Sequence, residues 1–200
     1  MIIKNLVVLL IAYLLGSINT SIIVSKIMIN DDIRNHGSGN AGATNTLRTV
    51  GKLGALFVVI GDILKTVIAI LIAKFILDFN PSSVYIAGLG TVLGHNFPLY
   101  FKFKGGKGIV VSTVAMIFAA PIIGLVVAIL AILIMWISRY VSLGSISGAV
   151  ILVIMGFIFK SSDPDFIVFS LMLAILAIYM HRDNIKRLIS GTENKFSFKK

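Results

Sequence analysis

The sequence predicts an all-α integral membrane protein with about seven transmembrane helices, some short or tilted, its N-terminus outside and its C-terminus cytoplasmic. Three observations carry this. Of 200 residues, 58% are hydrophobic and 13% charged, with a mean hydropathy of +1.01, whereas a soluble domain carries about 25% charged residues. The charges gather in short stretches between long apolar runs. The basic residues, finally, concentrate in alternate connections, as in cytoplasmic loops. Residues 1–200 are read as one polytopic membrane domain with no separate soluble part.

A span needs roughly 20 apolar residues. Lys4 precedes the first apolar run, and Gly16-Ser17-Ile18-Asn19-Thr20-Ser21 offers no small-x-small cleavage site. Residues 5–25 are therefore expected to stay as a first helix rather than leave as a signal peptide. Residues 53–77 form a second span that includes Asp62 and Lys65, and uncharged residues 79–101 form a third. Residues 108–138 lack any charge. As one straight helix they would reach about 46 Å across a core of about 30 Å. Ala119-Ala120-Pro121 and Gly124 predict a break in the middle, giving two short helices or a re-entrant hairpin. Residues 143–159 and 166–180 complete the set. No internal repeat is visible, which weighs against an inverted-repeat transporter.

With seven segments and the N-terminus outside, the cytoplasmic side holds Lys26, Arg34, Arg48, Lys52, Lys102, Lys104, Lys107, Arg139, Arg182, Lys186, Arg187, Lys195, Lys199 and Lys200, fourteen of the eighteen basic residues. The far side keeps Lys4 and Lys160 beside Asp78, Asp163 and Asp165. Were 108–138 a single span, Arg139 and the basic tail would lie outside, against the positive-inside tendency. An even number of crossings, or a re-entrant loop, is expected there.

The net charge of +10 lies between membrane segments, so it points to anionic lipid or a phosphorylated substrate rather than nucleic acid. The absence of cysteine excludes disulfide and thiol chemistry, and three histidines without HExxH spacing give little support for a metal.

Four polar stretches fall on the predicted cytoplasmic face. The densest runs from Gly94-His95-Asn96 through Lys102, Lys104 and Gly105-Gly106-Lys107-Gly108. Lysines and aromatics there fit a membrane-edge anchor. The glycines add a loop that can bring backbone N–H groups and ammonium groups to a phosphate, although the GxxxxGK[ST] spacing of a nucleotide P-loop is missing. An earlier stretch from Asp32 to Asn45, followed by Arg48, combines glycines, hydroxyls and amides. It reads as a flexible connector or as an anion nest with Ser38 and Asn40, and a helix starting near Ala41 would favour negative charge further. Ser138 to Ser145 is a short turn carrying Arg139 and Ser142. His181 to Glu193 reads as a basic amphipathic tail or as a fourth part of a site, with His181, Asn184 and Leu188 on one helix face. Asp62 and Lys65, three apart inside a span, are functional suspects by default, and pairing with each other is the plain alternative.

Together, Gly37-Ser38-Gly39-Asn40-Ala41-Gly42-Ala43-Thr44-Asn45, Gly94-His95 through Phe103-Lys104-Gly105-Gly106-Lys107-Gly108, and His181-Arg182-x-Asn184-Ile185-x-Arg187-Leu188-x-x-Gly191-x-Glu193 strongly resemble the motifs of the bacterial PlsY family. Those proteins are membrane glycerol-3-phosphate acyltransferases that use acyl phosphate. The resemblance covers about residues 13–196. It implies a seven-helix acyltransferase of the bacterial inner membrane, with a cytoplasmic active site, that makes lysophosphatidic acid and inorganic phosphate in the first acylation step of phospholipid synthesis. Acyl phosphate, glycerol-3-phosphate and membrane lipids would be its partners. Acyl-CoA and acyl carrier protein would not be direct donors, and no cofactor or metal would be needed. By resemblance Ser38, Asn40, Arg48, His95, Lys107, Ser142, His181 and Asn184 line the site. Ser38, Asn40 and His95 are the candidate catalytic residues. Arg48, Lys104, Gly105, Gly106, Lys107, Gly108, Ser142, His181 and Asn184 are the candidate substrate and phosphate binders, and Thr44, Asn45 and Glu193 the candidate supports.

The chemistry is coherent with these residue types. An acyl phosphate is already activated, so the protein must hold two anions together, orient the hydroxyl onto the carbonyl and stabilise developing charge. The hydroxyl proton can go to His95 or to a substrate phosphate oxygen. Direct transfer is favoured over an acyl-Ser38 intermediate, because no Asp or Glu lies near His95 in the sequence to suggest a relay. Two rival readings remain open. A phosphometabolite transporter would place polar residues along several spans, whereas here Asp62, Lys65 and Lys74 all lie on one. A non-catalytic lipid anchor would need only the basic residues.

Overall fold

The computed structural model describes residues 2–77 and 82–196, and all their regular structure is helical. Asp78, the expected start of the third span at 79–81, Lys199 and Lys200 lie outside the described residues. Among the described residues ten α-helices follow one another: α1 (Ile2–Gly16), α2 (Thr20–Ile29), α3 (Ala43–Thr49), α4 (Lys52–Ile76), α5 (Ser82–Asn96), α6 (Ile109–Ala119), α7 (Pro121–Ser138), α8 (Val141–Phe159), α9 (Pro164–Met180) and α10 (Arg182–Ile189).

Among the described residues, four helical stretches are long and apolar enough to cross a membrane: Ile2–Ile29, Lys52–Ile76, Pro121–Ser138 and Val141–Phe159. Pro164–Met180 with Arg182–Ile189, bent by 61°, makes a fifth if counted as one broken span. α5 and α6 are shorter than the about 20 residues of a straight span. Eleven residues of α6 rise only about 16 Å.

The first run is not one unbroken helix as expected. It breaks at Ser17–Asn19 because those side chains bond to backbone. Ser17 Oγ donates to Tyr13 O (2.8 Å) and accepts from Leu99 N (3.2 Å). Asn19 Oδ1 accepts from Ile22 N (3.1 Å) and so caps α2. α5 stops at Asn96 rather than 101, since Pro98 disfavours helix in the residue before it. The expected break inside 108–138 falls at Ala120, with Pro121 opening α7, the helix position proline suits best.

The chain forms two compact units, Met1–Ala115 and Met116–Lys200. In the first, α1, α4 and α5 pack on one another. Small residues bring α1 and α5 into backbone contact, as in membrane helices generally. A Cβ on Gly94 would strike Tyr13 O and stand 2.7 Å from Ser17 N, and one on Gly16 would strike Thr91 O. Gly94→Ala is therefore expected to cost about 1–3 kcal/mol through overpacking, read as a lower thermal midpoint in detergent. In the second unit, α8 packs between α7 and α9, with Gly144 and Gly148 facing Ala131 of α7 and Gly156 facing Phe166 of α9. The outer sides carry exposed Ile122, Ile132, Trp136 and Ile137, a surface suited to lipid.

Candidate active site

In the first unit the glycine loop is shaped by α5. After Pro98, a 3-10 turn at Leu99–Phe101 leads into Lys102 and Phe103, both left-handed with φ 58°. The chain then doubles back. Gly105 N donates to Asn96 O (3.2 Å) and Gly106 N to His95 O (3.1 Å). These two amides, expected from the sequence to face an anion, instead satisfy carbonyls that a helix C-terminus leaves open. Gly106 closes over the imidazole: a Cβ there would strike His95 Nε2 and stand 2.6 Å from Ala41 O. Gly108 (φ 72°) leads directly into α6. Lys104 is exposed and Lys107 half-buried.

The Ser38 loop is tied to this one. Asp32 holds Arg34 through Nε (3.0 Å) and Nη2 (2.7 Å). Arg34 Nη1 then donates to Phe101 O (2.9 Å) and Lys104 O (3.1 Å). Buried Asn45 donates to Ile33 O (3.2 Å) and His36 O (2.9 Å), and its Oδ1 accepts from Ser38 N (2.9 Å). Ser38 thus sits at an exposed tip between left-handed Gly37 and Gly39, and its hydroxyl has no hydrogen-bond partner among the described residues. Asn40 is half-buried; Thr44 and exposed Arg48 lie on the seven-residue α3.

Beneath the loop, His95 meets the charge pair of α4. Lys65 Nζ lies 2.8 Å from Asp62 Oδ1, 2.9 Å from His95 Nδ1 and 3.0 Å from Ile18 O. Asp62 Oδ1 also accepts from Thr20 Oγ1 (2.6 Å) and stands 3.5 Å from His95 Nδ1. All three side chains are at most 5% exposed. Sequence reasoning anticipated the Asp62–Lys65 pair but not that it serves His95, nor the parts of Thr20 and Arg34. The available signal was the polar run Ser17–Ser21 inside an apolar segment, one helix away from an intramembrane charge pair.

The second unit holds a separate polar cluster around Glu193. Its Oε1 accepts from Ser142 Oγ (2.8 Å) and Asn184 Nδ2 (2.6 Å), and its Oε2 from Arg187 Nε (2.7 Å). Phe196 N donates to Arg139 O (2.7 Å), fastening the tail further. His181 is buried at the α9–α10 bend, with Nδ1 2.7 Å from Ala177 O. Burial pulls the Glu193 carboxyl upward, but the bonds from Asn184, Ser142 and Arg187 outweigh it and hold it below its ordinary value of 4.5. A lowered carboxylate stabilises the fold fully above its unfolded value and loses that contribution as pH falls through the folded one. Amide exchange across residues 184–196 is therefore expected to rise as pH drops below about 4.5, once the intrinsic pH dependence of exchange is removed. Glu193→Ala should raise it at neutral pH by an amount equivalent to about 1–3 kcal/mol of local stability, since it removes the shared acceptor of three donors.

A family model described as glycerol-3-phosphate acyltransferase matches residues 6–191. A glycerol-3-phosphate acyltransferase of Thermoanaerobacter sp. (strain X514) is 48% identical over 190 residues, covering 95% of this chain and 94% of the relative. One of Clostridioides difficile (strain 630) is 42% identical over 199 residues, covering 98% and 97%. Among solved structures, PlsY (YgiH), an integral membrane glycerol 3-phosphate acyltransferase, is similar in its glycerol 3-phosphate form with a TM-score of 0.88 at 35% identity, covering 96% of each chain. Its lysophosphatidic acid form gives a TM-score of 0.85 at 34% identity, covering 96% of this chain and 95% of that one.

Proposed function

The chain belongs to the glycerol-3-phosphate acyltransferase family, and from that membership we propose how its residues carry out the transfer. The enzyme moves an acyl group from acyl phosphate to sn-glycerol-3-phosphate, giving lysophosphatidic acid and inorganic phosphate. The forms in which the similar PlsY structure was solved support this acceptor and product. The bond that forms joins the glycerol hydroxyl oxygen to the acyl carbon, and the bond that breaks joins that carbon to the phosphate oxygen. The hydroxyl proton ends on the released phosphate, and because the acyl phosphate is already activated, direct transfer needs no covalent acyl-enzyme.

The observation that carries the site assignment is the closure of the Gly105–Gly106 turn over buried His95, with the Ser38 loop braced to the same turn by Arg34. His95, Ser38 and Asn40 address the reacting groups. Arg48, Lys104 and Lys107 offset phosphate charge, and left-handed Gly108 turns the chain into α6, whose N-terminus favours negative charge. Thr44 and Asn45 support the Ser38 loop. In the second unit, Glu193 organises Ser142 and Asn184, and these two with His181 are polar groups of the kind that bind a phosphate.

The whole chain acts as one acyltransferase domain in the bacterial inner membrane, with seven crossings, the N-terminus outside and the working face cytoplasmic. Charge placement supports this: with α6 and α7 each crossing, Arg139 and the basic tail stay inside. Single cysteines at positions 121 and 142 should then react with impermeant reagents from opposite sides, and labelling of both from one side would remove the double crossing.

The deciding experiment is phosphate release by purified protein given a long-chain acyl phosphate, with and without glycerol-3-phosphate, alongside acyl-CoA. Release that requires the acceptor, with lysophosphatidic acid formed and acyl-CoA inert, is expected. Release without acceptor would point to an acyl-enzyme or hydrolysis. No turnover from folded protein with any donor would return the weight to transport.

A further inference from the structure

We propose that Lys65 is a positioning residue that locks His95 as its Nε2–H tautomer, so that His95 acts on the substrate as a hydrogen-bond donor and not as the base. This rests on the acyltransferase reading of the site above.

The argument is one of donors and acceptors. An ammonium group has three donors and no acceptor. Lys65 Nζ has three neighbours at bonding distance: Ile18 O at 3.0 Å, Asp62 Oδ1 at 2.8 Å and His95 Nδ1 at 2.9 Å. Each N–H of the ammonium therefore has one acceptor, and His95 Nδ1 is one of them; Asp62 Oδ1, the competing partner of Nδ1, stands 3.5 Å from it, against 2.9 Å for the lysine. A nitrogen that accepts carries no proton, so the imidazole is neutral with its proton on Nε2. Charge agrees, because Asp62 and Lys65 cancel and the ring adds none at this buried position. Thr20 Oγ1 donates to Asp62 Oδ1 at 2.6 Å, which fixes the carboxylate that orients the lysine. The free end of the ring is Nε2. It has no hydrogen-bond partner among the described residues, and it lies against Gly106, where a side chain would strike it; the imidazole as a whole is 4% exposed.

A histidine held this way has an uncommitted donor at Nε2, on the side of the ring that meets Gly106, and its only lone pair already used. It can stabilise negative charge on an acyl carbonyl or phosphate oxygen, but it has no free basic nitrogen for the attacking hydroxyl. Lys65 sets that role without touching substrate.

The test uses full-length protein labelled with ¹⁵N-histidine in lipid nanodiscs, the His95 signals being those absent from His95→Gln. The wild type should show a protonated Nε2 and a bare Nδ1, and Lys65→Met should show a mixture of tautomers. In phosphate release from a long-chain acyl phosphate with glycerol-3-phosphate, Lys65→Met should lose about 10- to 100-fold in kcat, the range seen when a partner orienting a working imidazole is removed, with KM for glycerol-3-phosphate nearly unchanged. His95→Gln, whose amide places a donor near the Nε2 position, should stay within about tenfold of wild type, while His95→Ala should fall by about 10²- to 10³-fold, as for other lost transition-state donors. A proton on Nδ1 in the wild type, Lys65→Met with wild-type tautomer and kcat, or Gln as inactive as Ala at position 95 would each overturn the proposal. Should Lys65→Met not fold, the wild-type nitrogen signals and the Gln/Ala comparison decide it. Folded wild-type protein that releases no phosphate would instead defeat the acyltransferase reading, while the nitrogen signals still report the tautomer.

Discussion

Asp62→Ala is expected to destabilise the protein by about 3–5 kcal/mol, the usual consequence of stranding one member of a buried ion pair. Asp62 is 2% exposed and Lys65 5%. Removing the carboxylate leaves the ammonium with Ile18 O and His95 Nδ1, which are dipoles and not a counter-charge. The measurement is a denaturant titration in mixed micelles that compares Asp62→Ala with the double variant Asp62→Leu/Lys65→Met. The double variant removes both charges, Met matching Lys in size while Leu is somewhat larger than Asp, and apolar replacement of a buried pair is often neutral or stabilising. It should recover most of the lost stability while activity stays low, because His95 has lost its partner. A single variant within about 1 kcal/mol of wild type would mean that water or another group already compensates the lysine.

Gly106→Ala is expected to reduce kcat/KM by about 10²- to 10³-fold, the scale associated with losing a donor aimed at developing charge, with little change in membrane insertion. The added methyl would occupy the space against His95 Nε2 and crowd Ala41 O at 2.6 Å. Either the imidazole is covered or the turn opens and releases its cap on the end of α5. Gly39 makes a useful contrast, since a Cβ there meets only Arg34 O at 3.4 Å, although its φ of 72° still strains a side chain. Gly39→Ala should therefore cost much less activity. Equal losses at both positions would show that backbone conformation, and not access to Nε2, governs the effect.

How much of this was legible in the sequence depends on how local each cause is. Pro121 announced the break between α6 and α7, because proline constrains its own neighbours. The break at Ser17–Asn19 was hidden: Leu99 N and Ala41 O, which help hold it, come from distant loops. The polar motifs located Ser38, His95 and Glu193, but chemistry alone did not say what each touches. Gly105 and Gly106 looked like free amides until the chain folded back on the carbonyls of Asn96 and His95. Glu193 had no readable role because one of its donors, Ser142, lies 51 residues away. Likewise, no acidic residue lies near His95 in the sequence, and Asp62, which stands 3.5 Å from its Nδ1, comes from another helix. Residue types and spacing offered the candidates for a site, while long-range contact decided which groups are already committed.

The close approach of α1 and α5 bears on how a fatty chain reaches this enzyme. Where Gly94 would collide with Tyr13 O and Gly16 with Thr91 O on gaining a single methyl, no row of methylenes can lie between the two helices. That seam is shut to hydrocarbon, so the α1–α5 line is not where the donor's tail lies. Enlarging residues along the α1–α5 line should then alter how well the protein holds together and leave the preferred tail length untouched.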